Sequence, residues 1–211
     1  MEQRGKSTAL HILVAAGGTG GHVYPALAIA DAVQQDQPNV TLSFVGVVGG
    51  FERPLVEGYG LTFSGYFEVR AGPLNGVGRL RQLRSGFDLL LGTFQALGLL
   101  LRHRPDAILL TGGWCGLPVS VAGWLLRVPM LVYLPDIEPA LTIKTLRFFA
   151  RRIALTADAS QKFFPHNKTV VTGYPLRRTL TDATRSTVPS LTRCPNQSSV
   201  SSAIRPNGSS W

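Results

Sequence analysis

The chain is poor in cysteine, in methionine and in charge, and it lacks acid more than base. Its 211 residues include two Cys, two Met and 12 Asp+Glu against 21 Lys+Arg, for a formal charge of +9. Two cysteines, Cys115 and Cys194, argue against a disulfide scaffold and fit a reducing compartment. No run of 18 uncharged apolar residues occurs, so no stretch reads as a membrane-spanning helix. The longest greasy segment, Leu89 to Leu101, is interrupted by Thr93 and Gln95 and reads as a buried or interfacial helix. The start, MEQRGKSTALHILVAAGG, has too short an apolar run for a cleaved leader and reads as a first strand. The arginines are scattered and no basic–aromatic module is present, so nucleic acid is not an expected partner. These features suit a cytoplasmic protein, soluble or peripheral to a membrane.

Apolar residues and glycine are plentiful. The chain is 45% hydrophobic with 23 Gly, which excludes a wholly disordered polymer. The length suits one domain, or one domain plus a tail. Short β-branched runs alternate with helical patterns. Strands are expected at 10–16, 40–46, 61–67, 107–111, 130–134, 153–156 and 169–172. Helices are expected at 22–35, near 53–58, at 77–104 with Gly86 or Gly92 as candidate breaks, at 117–126 and at 142–149. This rhythm gives an α/β fold, a Rossmann-like parallel sheet with helices on both faces. After Arg185 the composition changes: residues 186–211 hold eight Ser and no acid. Such a segment buries too little to offset its ordering entropy, and reads as a disordered tail or as sequence foreign to the fold.

The sharpest feature is Gly17-Gly18-Thr19-Gly20-Gly21-His22, between the first strand and the first helix. In a parallel sheet, ligands bind beyond the carboxyl ends of strands. Glycines there allow close backbone approach and positive φ, and the N–H groups opening the helix favour an anion such as a diphosphate. His22 adds a side chain that exchanges a proton near neutral pH. The dinucleotide fingerprint fails because position 23 is Val and the second strand ends in Phe44-Val45-Gly46 without an acid. The P-loop fails because His22-Val23 stands in place of Lys and a hydroxyl residue. A second glycine turn, Thr111-Gly112-Gly113-Trp114-Cys115-Gly116-Leu117-Pro118, opens another helix and should face the same rim. Either turn could instead serve packing alone. Cys115 reads as a buried small hydrophobe in preference to a nucleophile.

At these residues the sequence resembles the MurG family, UDP-N-acetylglucosamine:lipid I transferases of the GT-B fold. GGTGGHVYPALAIADAV at 17–33 matches the family's first glycine loop and helix. Phe44-Val45-Gly46, Gly112 to Pro118, and Val171-Thr172-Gly173-Tyr174-Pro175-Leu176-Arg177 support it. The resemblance covers residues 9 to about 178 and implies an N-terminal acceptor-binding domain at 1–178. Residues 179–211 are then a hinge remnant and tail, without the donor-binding half. One departure stands out: Tyr133-Leu134-Pro135-Asp136 replaces the family's His-Glu-Gln-Asn, with Glu138 nearby.

The resemblance implies transfer of N-acetylglucosamine from UDP-N-acetylglucosamine to an undecaprenyl-diphosphate-linked sugar in peptidoglycan synthesis, with inversion and with no cofactor or metal. It makes His22 a candidate base or acceptor-orienting group, with Asp136 and Glu138 as alternatives. Gly18, Thr19, Gly20 and Gly21 would meet the acceptor diphosphate, joined by Gly112, Gly113 and Trp114; Arg177 would meet UDP phosphates. Arg79, Leu80, Arg81, Leu83, Arg84 and Phe87 would contact an anionic membrane surface on the cytoplasmic face. The Leu89–Leu101 part of the same helix is expected to face the core. Three readings share this fold: an acceptor domain of a glycosyltransferase, an acceptor-lipid-binding subunit that needs a separate donor-binding chain, and an inactive remnant.

Overall fold

The computed structural model describes residues 9–74 and 76–176. Arg177, Cys194 and the serine-rich segment after 185 lie outside the described residues. Seven parallel strands form one sheet: β1 (His11–Ala15), β2 (Thr41–Val47), β3 (Gly65–Val69), β4 (Ala107–Leu110), β5 (Met130–Leu134), β6 (Arg152–Leu155) and β7 (Thr169–Val171). Their spatial order is β3-β2-β1-β4-β5-β6-β7. The chain runs outward from β1 to one edge, returns to β4 and runs outward again. The order therefore reverses between β1 and β4, where neighbouring connections leave in opposite directions and open a crevice.

Alternation along each strand sorts side chains onto two cores. Ile12, Val14 and Ala16 of the first strand segment join Val23, Leu27 and Ile29 of α1 (Gly20–Asp36) and Val56 of α2 (Glu52–Glu57). Leu13 and Ala15 face the other way, onto Ala96 and Leu100 of α3 (Arg79–His103), Val119 and Ala122 of α4 (Gly116–Leu125), and Ile143 and Leu146 of α5 (Leu141–Leu146). The expected three-layer α/β architecture is thus present, with most boundaries shifted by a residue or two.

Two local expectations need correction. The third strand begins later than 61, because Leu61 and Phe63 pack onto the core from irregular chain and the ladder starts where Gly65 pairs with Ser43. The helix at 79–103 runs without a break at Gly86 or Gly92. Gly92 faces inward, and a Cβ there would press on the Arg70 carbonyl oxygen. Close approach explains the residue, and packing overrides the ~1 kcal/mol that glycine costs in a helix interior. The Leu89–Leu101 part faces the core as expected along one stripe, with Leu97 and Leu99 packed beside buried Ala96 and Leu100, but its other apolar stripe is exposed. The helix lies down on Ser85, Gly92, Ala96 and Leu100 and turns Leu80, Leu83, Phe87, Leu90, Phe94 and Leu101 outward. Among the described residues no helix is long and apolar enough to cross a membrane.

Candidate functional site

The β1 and β4 tips carry the two glycine loops, and the fold presses them together. Gly112 and Gly113 have φ of 123° and 84°, in the left-handed region. A Cβ on Gly112 would lie 2.7 Å from the His22 ring, and one on Gly113 would lie 2.8 Å from the Gly17 nitrogen and against its carbonyl. Only residues without Cβ can pack at such distances, so both glycines are required by the contact and by their backbone angles. The two loops are in direct contact at the tips of β1 and β4.

Thr19 caps α1 in extended conformation (φ −156°, ψ 156°). The first helical bonds are donated by His22 and Val23 to the Thr19 carbonyl. The N–H groups of Gly20 and Gly21 therefore lie ahead of the helical ladder, at the positive end of the dipole. Thr19 Oγ1 sits 3.0 Å from His22 Nδ1, and the Thr111 hydroxyl donates to the His22 carbonyl at 2.8 Å. His22 is thus held by both loops. Burial lowers its pKa below the ordinary 6.5, while the facing charge of Asp136 and a backbone hydrogen bond with Gly17 act in the opposite direction. The imidazole is accordingly neutral at pH 7 and able to accept a proton.

That shift has a stability consequence. Below pH 6.5 the unfolded chain takes up a proton at this position that the folded chain resists. Stability therefore falls as pH drops from 6.5 towards the lowered folded-state value, and is level with respect to this group above 6.5. Replacement His22→Asn should flatten this part of the profile, as measured by urea unfolding between pH 5 and 8. An unchanged slope in the variant would remove the assignment.

The other expected residues fall unevenly. Asp136 is exposed beyond β5 and faces His22 closely enough to influence it. Glu138 is exposed in the same loop, and no described contact joins it to His22. Trp114 is half-buried in the second loop. Gly18, expected to meet the ligand, has its N–H committed to Glu52 Oε1 at 3.1 Å. Thr111, Gly116 and Leu117 of the second loop donate to backbone carbonyls, so the amides without a described backbone partner are those from Thr19 to Gly21 and from Gly112 to Cys115. Tyr133, at the family's His position, is wholly buried; its hydroxyl lies 2.8 Å from Thr156 Oγ1 and donates to the Gly173 carbonyl at 3.1 Å. It ties three strand tips together, and burial raises its pKa. Cys115 is also fully buried and its thiol is pushed up to about 12, first by burial and then by the Glu52 charge, so it is no nucleophile.

Glu52 is the residue that sequence reasoning missed. The second strand ends without an acid, yet the chain turns back at once and places this carboxylate behind the first glycine loop. It is only 1% exposed, and its Oε2 has no hydrogen-bond partner among the described residues. The Tyr66 hydroxyl beside it is likewise unpartnered, with a pKa raised by burial and by the charges of Glu52 and Glu68. Leaving a buried polar group unsatisfied costs about 1–3 kcal/mol, more for a charge, so the arrangement calls for a reason beyond packing. In sequence the only cue is an acid opening a short helix after Gly49-Gly50, which ordinarily signals the helix dipole alone. Among the described residues no group of three His, Cys, Asp or Glu side chains is gathered to hold a metal ion.

Residues 12–155 match the model of the glycosyltransferase family 28 N-terminal domain. An N-acetylglucosamine transferase of Pelobacter propionicus, named for a pyrophosphoryl-undecaprenol substrate, is 35% identical over 173 residues, 82% of this chain and 45% of the relative. The crystal structure of Acinetobacter baumannii MurG superposes with a TM-score of 0.66 at 27% identity, over 80% of this chain and 47% of that one. A UDP-N-acetylglucosamine 2-epimerase from Rickettsia bellii shares the fold alone, at 12% identity and a TM-score of 0.59 over 86% of this chain and 48% of the other. The chain spans about half the length of the curated relatives it matches.

Proposed function

The chain belongs to the glycosyltransferase family 28 N-terminal domain family, and from that premise we propose that it forms the acceptor-binding wall of an inverting N-acetylglucosaminyltransferase. The acceptor is a sugar carried on undecaprenyl diphosphate, the donor UDP-N-acetylglucosamine, and the product a peptidoglycan precursor. The observation that carries this reading is the meeting of Thr19–Gly21, His22 and Gly112–Trp114 at the β1/β4 crevice. Amides at the positive end of α1 suit a diphosphate, and a neutral imidazole stands beside them. His22 takes the proton from the acceptor hydroxyl as its oxygen bonds to the sugar's anomeric carbon and the bond to UDP breaks. The Asp136 charge stabilises the imidazolium that forms.

The donor must lie opposite this rim at reaction distance, on a facing body of the same polypeptide or of a separate chain. Arg177, outside the described residues, would meet the UDP phosphates there. One wall alone supplies little of the rate. The purified 211-residue chain is expected to transfer no sugar without that partner, and turnover by the isolated chain would contradict the division of labour.

The site lies on the cytoplasmic face of the membrane, reached by peripheral docking. Leu80, Leu83 and Phe87 stand out from α3 beside exposed Arg79, Arg81 and Arg84. A hollow of about 730 Å³ runs between this turn and the chain at Ala71–Pro73. Inserted apolar side chains with a basic rim suit reversible attachment to anionic lipid.

The test uses a soluble acceptor mimic. Titration of the chain with farnesyl diphosphate should shift the Gly20 and Gly21 amide resonances saturably. Farnesyl monophosphate should bind more weakly, and the Gly18 amide, held by Glu52, should move least. Unmoved Gly20 and Gly21 amides at millimolar diphosphate would refute the acceptor reading.

A further inference from the structure

We infer that Glu52 is the positioning residue of the glycine cradle, setting the orientation of His22 through the Gly17–Gly18 peptide. The inference rests on the reading of His22 as the group that meets the acceptor. The Glu52 carboxylate accepts the Gly18 N–H at 3.1 Å from behind the loop. In a trans peptide the preceding carbonyl points the opposite way, so this bond turns the Gly17 carbonyl away from Glu52. That carbonyl packs on Gly113, whose neighbour Gly112 lies against the His22 ring, and the Gly17 backbone acts on the imidazole as an acceptor that favours its protonated form. One buried carboxylate therefore orients one peptide, and that peptide contacts both the second loop and the imidazole.

The packing leaves the peptide no slack. A Cβ on Gly17 would meet Glu52 Oε1 on one side and lie 3.3 Å from the Cys115 sulfur; a Cβ on Gly50 would meet Glu52 Oε2. Glycines at 17 and 50 thus give the carboxylate its berth, and Gly18 supplies the positive φ of 85° that the turned peptide requires. The remaining polar groups around His22 are Thr19 at Nδ1, from its own loop, the Thr111 hydroxyl at its carbonyl, from the second loop, and Asp136 from the chain after β5. Those around Glu52 are the Tyr66 hydroxyl from β3 and the Cys115 thiol from the second loop. None of these replaces Glu52 as acceptor for Gly18. A carboxylate held here with one oxygen unpaired is explained by that task. Its negative charge also withdraws Gly18 from the set of amides open to a diphosphate, which confines the ligand to the helix start.

The test needs no ligand, so it fails or succeeds independently of the acceptor reading. Nitrogen-15 spectra of the His22 ring report its tautomer in wild type, Glu52→Gln and Glu52→Met. Wild type should show one dominant neutral tautomer. The Gln variant keeps a carbonyl acceptor for Gly18 and should retain it. The Met variant fills similar volume without an acceptor and should show a mixture, with loss of hydrogen-exchange protection at the Gly18 amide. A merely structural role would lower the melting temperature of both variants and leave the folded-state tautomer unchanged. A folded Met variant with the wild-type tautomer overturns the inference, as does a Gln variant that loses it. Should the Met variant not fold, the wild-type Gly18 amide decides: rapid exchange there overturns the proposal, and protection that the Gln variant preserves supports it.

Discussion

Reversing Arg79, Arg81 and Arg84 to Glu is expected to lower recovery of the chain with anionic vesicles by at least ~100-fold. A basic residue close to an anionic leaflet contributes about 1 kcal/mol, so losing three removes about 3 kcal/mol, and the introduced acids add repulsion. The apolar partners are Leu80, Leu83 and Phe87, exposed by 84%, 74% and 61%. Each would contribute ~1.5–3 kcal/mol if fully buried in lipid, so changing all three to Ser should have an effect as large. Neither set touches the buried face of α3, which is made of Ser85, Gly92, Ala96 and Leu100. Surface changes of this kind normally alter stability by about 0.5 kcal/mol or less, so both variants should stay folded. Flotation with anionic and with neutral vesicles measures the effect. Equal recovery of wild type and both variants would dispose of the membrane reading, while leaving the diphosphate cradle untouched.

The second large effect is expected at the junction of the two loops. Gly113→Ala places a Cβ at φ 84° and against the Gly17 backbone. The left-handed conformation costs an L residue about 1–2 kcal/mol, and forced overpacking adds about 1–3. Against a typical total of about 5–15 kcal/mol this is a severe loss. The melting temperature should fall by roughly 5–20 °C for a domain of this size. Gly60 is the control: its φ is 88° with nothing within 4 Å of a built Cβ. Gly60→Ala should therefore show the conformational cost alone. If the two variants melt together, the loops are not in the contact described, and the cradle loses its geometric basis. Residual folded Gly113→Ala should also fail to bind farnesyl diphosphate, since separating the loops moves the Gly20 and Gly21 amides away from the β4 tip.

These two cases also show where sequence reading stops. The periodicity of residues 79–103 marks a helix, and its arginines mark a basic end, but the pattern does not say which apolar stripe faces inward. Leu90, Phe94 and Leu101 look like core, whereas Gly92 looks like an interruption. The opposite holds, because the helix approaches the β3 exit so closely that a side chain at 92 would collide with the Arg70 carbonyl. Interhelix distance is a tertiary quantity, and a pattern of large and small residues reads differently at different distances. The glycine loops were legible because their chemistry is local. A strand tip, several glycines, a Thr and a helix start form one contiguous motif, and its electrostatic character follows from backbone geometry alone.

Glu52 and Tyr133 belong to the other category. Nothing in Phe51-Glu52-Arg53 indicates that this carboxylate folds behind a loop 34 residues earlier and takes the Gly18 amide. Tyr133 stands where a relative's histidine would suggest chemistry, yet its hydroxyl is spent on Thr156 and Gly173. The amino-acid order by itself determined the alternating strands and helices, the parallel sheet, and the two glycine turns, since each depends on neighbours along the chain. The three-dimensional arrangement alone decided which amide a distant acid occupies, which helix face meets solvent, and which carboxylate of the 136–138 loop looks at His22. Those outcomes depend on strand order and on distances between segments remote in sequence, which no local pattern encodes.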